Sequence, residues 1–180
     1  MLLRVIAQRA GELGHFDCKH LPNGMVEGFK GKLYLVGGID DCTRVAWVEL
    51  MTDITSLSTM FGAMGIMRLL QSRYNIRFER IMTDNGSEFK SNKTMLHPFE
   101  RLLHQLSIKH IYTKPYKPQP NGKIERLWRT IYEECLEECV FESIDAFKEE
   151  LTRYMLYYNE MRGHQSLNNK TPQEFRKELK

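Results

Sequence analysis

The spacing of apolar residues changes once along this chain, and the change limits the folds that it can adopt. Up to residue 113, apolar residues form short runs typical of strands, at 14–18, 32–39, 44–50, 78–83 and 109–113. Beyond residue 122 they recur at every third or fourth position, which predicts helices. Residues 114–122 separate the two regimes, and their three prolines and one glycine exclude regular structure there.

Two helices are predicted between the strands. The first spans about residues 57–70, with Thr55 or Ser56 as its N-cap, and Pro98 begins a short second helix that reaches residue 106. The first helix is expected to bury one stripe, made of Leu57, Met60, Phe61, Met64, Met67 and Leu70.

The helices after residue 122 have clear boundaries. A long helix carries an apolar stripe from Ile124 to Cys139, and Ser143 is the expected N-cap of the next one. Thr171, with Pro172 and Glu174, forms a capping box that begins a last helix.

This order predicts an α/β fold with a mixed five-stranded sheet and helices on both faces. Short links make the first three strands antiparallel, whereas strands joined through helices add in parallel. The 180 residues suit a single domain over 1–180, with an N-terminal extension at 1–12 and closing helices at 143–180.

Composition excludes membrane insertion. Hydrophobic residues make up 42% of the chain, yet no apolar run is long enough to cross a bilayer, and the first residues lack a signal-peptide pattern. A cytoplasmic location is therefore expected, at the nucleoid in a bacterium. The four cysteines form no Cys-x-x-Cys pair and are interpreted as small buried residues rather than disulfide or zinc ligands.

Basic residues are concentrated near the proline-rich segment. Six of them lie between residues 109 and 129, where Glu125 is the single acid, and the aromatic residues Tyr112, Tyr116 and Trp128 are interleaved with them. Such a segment suits a polyanionic partner, although charge alone is equally explained by a solvated face.

Three acidic residues stand where this fold could bring them together. Asp17 lies within the first strand, Asp84 ends the fourth, and Glu125 falls in the first turn of the long helix. Aspartate is disfavoured in a strand, so Asp17 indicates a functional role. Asp84 could instead simply begin a turn, and Glu125 could simply be an acid that the helix dipole stabilises in the first turn. Turn chemistry explains Asp40 and Asp41, and Glu88 is the main alternative to Glu125.

Several blocks of sequence carry a family resemblance. They are 11–17 (GELGHFD), 83–89 (TDNGSEF), 114–126 (KPYKPQPNGKIER) and a tail at 158–167 (YNEMRGHQSL) with 171–174 (TPQE). Over residues 11–175 the chain resembles the catalytic cores of DDE-type retroviral integrases and bacterial insertion-sequence transposases. It departs from them in two places. Glu125 follows Asp84 by 41 positions (125 − 84), a longer gap than is usual, with the excess expected at 90–97, and Gly163 replaces a proline.

The resemblance implies a ribonuclease-H-like fold and a metal-dependent enzyme. Asp17, Asp84 and Glu125 would be its catalytic triad and would hold two ions of Mg²⁺ or Mn²⁺. The enzyme would cleave a DNA strand and transfer the freed 3′-hydroxyl, acting as a homo-oligomer on double-stranded DNA at element ends and target. Two alternatives stay open: a ribonuclease-H-like nuclease without strand transfer, and an inactive DNA-binding remnant of a mobile element.

The residues expected to contact DNA cluster around Glu125. Basic side chains there would meet phosphates, and the polar loop would let the backbone approach DNA closely. The predicted contacts are Lys114, Tyr116, Lys117, Gln119, Asn121, Lys123, Arg126 and Arg129.

Overall fold

Five strands and five α-helices occur in the part of the chain that the structure, a computed structural model, describes: residues 7–90, 96–113 and 122–179. The strands are β1 (Gly14–His20), β2 (Tyr34–Asp40), β3 (Ala46–Met51), β4 (Arg80–Thr83) and β5 (Lys109–Tyr112). The α-helices are α1 (Ser56–Tyr74), α2 (Pro98–Gln105), α3 (Gly122–Ile131), α4 (Ile144–Glu160) and α5 (Pro172–Glu178). A π-helical turn, Tyr132–Leu136, follows α3, and a 3₁₀ turn, Gln165–Leu167, precedes α5.

The strands form one mixed sheet in the order β3-β2-β1-β4-β5. β1 pairs with β2, and β2 with β3, in antiparallel fashion, whereas β4 runs parallel to both β1 and β5. The predicted mixed five-stranded sheet is confirmed. β1 therefore occupies the centre, with β4 beside it, and this order places the end of β4 next to β1.

Helices cover both faces of the sheet, as predicted. Gly62 of α1 faces Val36 of β2, while the indole of Trp128 in α3 lies against Gly37, the next residue of the same strand. Because successive residues of a strand point to opposite faces, α1 and α3 lie on opposite sides. Asp17 pairs with Gly37 across the β1–β2 ladder and so faces α3.

The predicted buried stripe of α1 is only partly correct, because Met67 and Leu70 are buried and Met60 and Met64 half-buried, but its first turns are turned outward. Leu57 and Phe61 are 56% and 57% exposed, and the face that packs on the sheet contains Thr59, Ala63, Ile66, Met67, Leu70 and Tyr74. Apolar residues surround nearly the whole of α1, so their spacing does not define one face.

The predicted long helix after residue 122 is also shorter than expected. α3 ends at Ile131, and the π turn that follows inserts one extra residue per turn. This shifts the buried position to Leu136, leaving Cys135 half-buried and Cys139 exposed.

Most helix boundaries agree with the sequence. Thr55 caps α1, Ser143 caps α4, and Thr171 with Glu174 forms the predicted capping box of α5. All four cysteines are free thiols, three of them partly buried. Within the described ranges, none of the helices has the length and apolar character needed to cross a bilayer.

Candidate active site

Asp17 lies in the central strand, under α3. The indole Nε1 of Trp128 donates a hydrogen bond of 2.8 Å to Oδ2 of Asp17. The ring can lie this close because Gly37 is beneath it: a Cβ on Gly37 would fall 2.3 Å from Cη2 of Trp128. A strand aspartate, a facing glycine and a helix tryptophan thus form one contact.

Asp84 follows the last residue of β4, beside β1. Its Oδ1 accepts a hydrogen bond of 2.8 Å from the backbone N–H of Gly86, and Asn85 donates to the carbonyl of Thr113 at 2.9 Å. Phe89 is fully buried and packs edge-on against Phe99, with ring centroids 5.1 Å apart. Asp84 therefore begins a turn, as its alternative interpretation required, and the loop that holds it is anchored in the core.

The charges near Asp17 perturb its ionisation. Burial raises the pKa of Asp17 to about 6, the hydrogen bond from Trp128 opposes that rise, and the negative charges of Asp84 and Glu88 add to it. Carboxylates that repel one another at close range favour the protonated form. His15 of β1 pairs with Met82 of the parallel strand β4, and Asp17 and Asp84 each lie two positions further along, so the two acids are at neighbouring positions.

The structure does not bring the third predicted acid into the same cluster. Glu125 is exposed on the first turn of α3, immediately after residues 114–121, which lie outside the described residues. The negative charge of Glu88, by contrast, contributes to the raised pKa of Asp17. The carboxyl group of Glu88 folds over Gly86, and a Cβ on that glycine would lie 2.6 Å from the carboxyl group. Across residues 7–90, 96–113 and 122–179, no three His, Cys, Asp or Glu side chains are grouped closely enough to hold a metal ion.

A buried polar cluster attaches the N-terminal turn of α3 to the sheet, and the sequence did not predict it. Asp41, only 3% exposed, accepts a hydrogen bond of 2.8 Å from Nε2 of His15, which is 2% exposed. Lys123 of α3 forms an ion pair with the same carboxylate and donates to the backbone carbonyl of Asp41 at 2.9 Å. Burial alone would raise the pKa of Asp41, but the bonds from His15 and Lys123 outweigh it and hold that pKa below its usual range.

The predicted DNA contacts fall into three groups. Arg126 and Arg129 are exposed on α3, where Arg129 lies 3.9 Å from Glu133. Lys123 is half-buried on Asp41. The remaining predicted contacts, Lys114, Tyr116, Lys117, Gln119 and Asn121, lie outside the described residues.

The chemistry of the acidic side chains fits a hard divalent cation. Mg²⁺ and Mn²⁺ prefer carboxylate oxygen, and Mg²⁺ usually retains waters that phosphate oxygens can replace. The raised pKa of Asp17 reflects in part the charges of Asp84 and Glu88, which a bound cation would offset. Asp17 and Asp84 are thus suitable ligands, with Glu125 and Glu88 as candidates for a third.

Comparison with protein families gives two matches. An integrase core domain model matches residues 7–118, and a second model of the same description matches residues 106–172. The matched ranges include β1, β4 and α3, the three elements that carry the predicted acids.

Individual proteins agree with those matches. A protein of Spiroplasma virus SpV1-C74 that is named as an integrase (ORF3) is 30% identical over 156 residues, which is 80% of this chain and 42% of that protein. The transposase for insertion sequence element IS904 of Lactococcus lactis is 26% identical over 98 residues, 54% of this chain and 37% of the transposase. This chain thus spans less than half the length of either relative.

Solved structures share the fold. The catalytic core domain of HTLV-2 integrase, solved in complex with magnesium in a dimeric form, has a TM-score of 0.66 and 18% identity, covering 93% of this chain and 97% of that one. The fold is therefore the ribonuclease-H-like fold of retroviral integrase cores.

Proposed function

The chain belongs to the integrase core domain family, and from this premise we propose that it is the catalytic core of a DNA integrase or transposase. The observation that carries the proposal is the position of Asp17 in β1 beside Asp84, which directly follows the neighbouring parallel strand β4, and the negative charge of Asp84 contributes to the raised pKa of Asp17. Such crowding of acids is costly to the fold and is typical of functional sites.

We propose Glu125 as the third acid of the site. It precedes Trp128 by three positions, and residues at that spacing are neighbours on a helix surface. Trp128 itself donates to Asp17, so Glu125 lies one helical turn from a residue in contact with the site. Glu88 remains the alternative, because its charge contributes to the raised pKa of Asp17.

The proposed reaction is an in-line displacement at phosphorus. A bond forms from phosphorus to the oxygen of water, or of a DNA 3′-hydroxyl, as the bond to the leaving DNA oxygen breaks. Two Mg²⁺ or Mn²⁺ ions, when bound, supply activation of the attacking oxygen and stabilisation of the leaving one. Asp17, Asp84 and Glu125 would hold those ions, and Trp128 keeps the Asp17 carboxylate in a fixed orientation.

The proposed partners are double-stranded DNA and further copies of the chain. Arg126 and Arg129 are exposed on the helix that carries Glu125, where they would meet phosphates of an element end or of target DNA. Self-association is proposed because the HTLV-2 integrase core was solved in a dimeric form.

A strand-transfer assay tests the proposal. It compares the parent protein with the Asp84→Asn variant and with Asp145→Asn, a control substitution of an exposed acid. The substrate is a pre-cut DNA end, supplied with Mg²⁺ or Mn²⁺. We expect the parent and Asp145→Asn to join the end to target DNA and Asp84→Asn, although folded, to fail. Cleavage without joining would favour a ribonuclease-H-like nuclease. Absence of both activities, with no Mn²⁺ bound in a titration, would favour an inactive remnant.

A further inference from the structure

We propose that Lys123 is a positioning residue which, together with Trp128, fastens α3 to β1 on either side of Glu125. The inference rests on the proposed function, because it concerns the geometry of that site. It assigns a role to Lys123, Asp41 and His15, three residues that take no direct part in the reaction described above.

The first attachment is the buried ion pair between Lys123 and Asp41. Asp41 lies in the turn after β2, accepts from His15 of β1, and also accepts from the backbone N–H of Ala7 at 3.0 Å. Buried charges require a partner, and removal of one partner leaves the other uncompensated. The carboxylate of Asp41 therefore holds the N-terminal turn of α3 against the strand that contains His15.

The second attachment is the hydrogen bond from Trp128 to Asp17. Trp128 follows Lys123 by five positions, which corresponds to about 7–8 Å along a helix at 1.5 Å per residue. His15 and Asp17 are two positions apart on β1 and so point to the same face. The second attachment thus connects α3 to β1 directly, and the first connects it to the same strand through Asp41 and His15.

Two attachments fix what a single one does not. The apolar face of α3, with Ile124, Leu127 and Ile131, packs in the core, but apolar contacts are not directional, and the two polar contacts fix the helix at two defined points. Glu125 lies between Lys123 and Trp128, so its backbone position relative to Asp17 is set by the pair. The ammonium group of Lys123 is engaged by a buried carboxylate, and we therefore expect it to contribute little to phosphate binding.

A double variant separates this role from a simple loss of stability. Asp41→Asn with Lys123→Met removes both charges at once, so that neither is left buried and unpaired. The control is Asp145→Asn with Lys148→Met, which removes one exposed acid and one exposed lysine from α4. Both pairs of substitutions are made in a Trp47→Phe background, in which Trp128 is the only tryptophan of the chain.

The first measurement needs neither metal nor DNA. We expect acrylamide to quench Trp128 at least twofold more efficiently in the Asp41→Asn/Lys123→Met variant than in the control, because α3 is no longer held at its N-terminal end. Equal quenching in the two proteins would overturn the proposal. This result stands whether or not the protein proves to be an integrase.

The second measurement uses strand transfer and DNA binding. We expect kcat to fall at least tenfold in the double variant, with KM for DNA and the salt dependence of binding unchanged, and single Lys123→Arg to retain most of kcat. A lower salt slope with unchanged kcat would instead assign Lys123 to phosphate contact and overturn the positioning role. If the parent protein is inactive, the proposed function fails, and the quenching measurement alone decides on the attachment.

Discussion

The indole nitrogen of Trp128 lies 2.8 Å from Oδ2 of Asp17, so a helix side chain holds a strand carboxylate that is already repelled by its neighbours. This contact joins two of the three elements that make up the proposed site. It also means that the ionisation of Asp17, the position of α3 and the stability of the fold are linked.

Asp17→Asn should stabilise the metal-free protein at neutral pH. The rise in the pKa of Asp17 from 3.8 to about 6 corresponds to roughly 3 kcal/mol as an upper bound. Below pH about 4 the carboxyl group is protonated in both states and costs nothing. As the pH rises from about 4 to about 6, Asp17 ionises first in the unfolded chain, which lowers the free energy of unfolding. This destabilisation is complete above pH about 6.

Thermal unfolding in a metal-free buffer containing chelator measures this difference. The amide oxygen of the Asp17→Asn variant can still accept the hydrogen bond from Trp128, so the substitution removes the charge and keeps the contact. We expect a higher Tm than the parent at pH 8 and an equal Tm at pH 4, with Glu149→Gln, an exposed acid in the interior of α4, nearly unchanged at both. A gain of the same size at both pH values would show that ionisation of Asp17 is not its cause.

Glu125→Gln and Glu88→Gln should differ in activity. If Glu125 is the third acid, its substitution should lower strand transfer by ~10²–10³-fold, the scale on which loss of a charge-stabilising group acts in an active site. Glu88→Gln should retain activity within about tenfold. The reverse order would assign the third position to Glu88, and circular dichroism of both variants verifies that each is folded.

Arg129→Ala should weaken DNA binding and reduce its dependence on salt. Each lost phosphate contact lowers the slope of log K against log salt concentration by about 0.9. Fluorescence anisotropy of labelled duplex at several salt concentrations measures the slope. Arg153→Ala, which removes an exposed arginine of α4, is the control and should leave it unchanged. An unaltered slope in Arg129→Ala would exclude that residue from phosphate contact.

Gly37→Ala should displace Trp128 and destabilise the fold. The new Cβ would lie 2.3 Å from the indole, and such overpacking typically costs about 1–3 kcal/mol. Adding Trp128→Phe should recover part of the loss, because the smaller ring leaves room for the methyl group. Urea unfolding of the two single variants and the double variant gives their coupling.

Gly65→Ala provides the matched control for that experiment. A Cβ on Gly65 meets no atom within 4 Å, so alanine should stabilise α1, by up to about 1 kcal/mol. Additive effects of Gly37→Ala and Trp128→Phe would contradict the packing of the indole on Gly37.

The number and relative directions of the strands could be predicted from the sequence because they depend on local patterns, whereas their spatial order was not predicted. Alternating runs identify strands, and the length of each link decides whether the next strand is parallel or antiparallel. The face of α1 could not be predicted in this way, because apolar residues such as Leu57 and Phe61 also lie on its exposed side. The π turn after Ile131 likewise has no marker in the spacing of residues.

Asp40 and Asp41 illustrate why part of the site was missed. Asp40 accepts from Thr43, three positions away, as turn chemistry predicts, and also from the backbone N–H of Gly11, 29 positions away. Asp41 looks the same in sequence, and its partners His15 and Lys123 lie 26 and 82 positions away, so no local pattern indicates them. The candidates Asp17, Asp84 and Glu125 were found because family motifs contain them, and the roles of all three stay predictions.

The separation of the site along the chain has a consequence for biosynthesis. Asp17 leaves the ribosome 111 positions before the indole that orients it. The central strand β1 must also wait for β4 to find its parallel neighbour. A nascent polypeptide therefore has no contact between Asp17 and Trp128 until α3 has been made, and a fragment that ends before α3 lacks the proposed site.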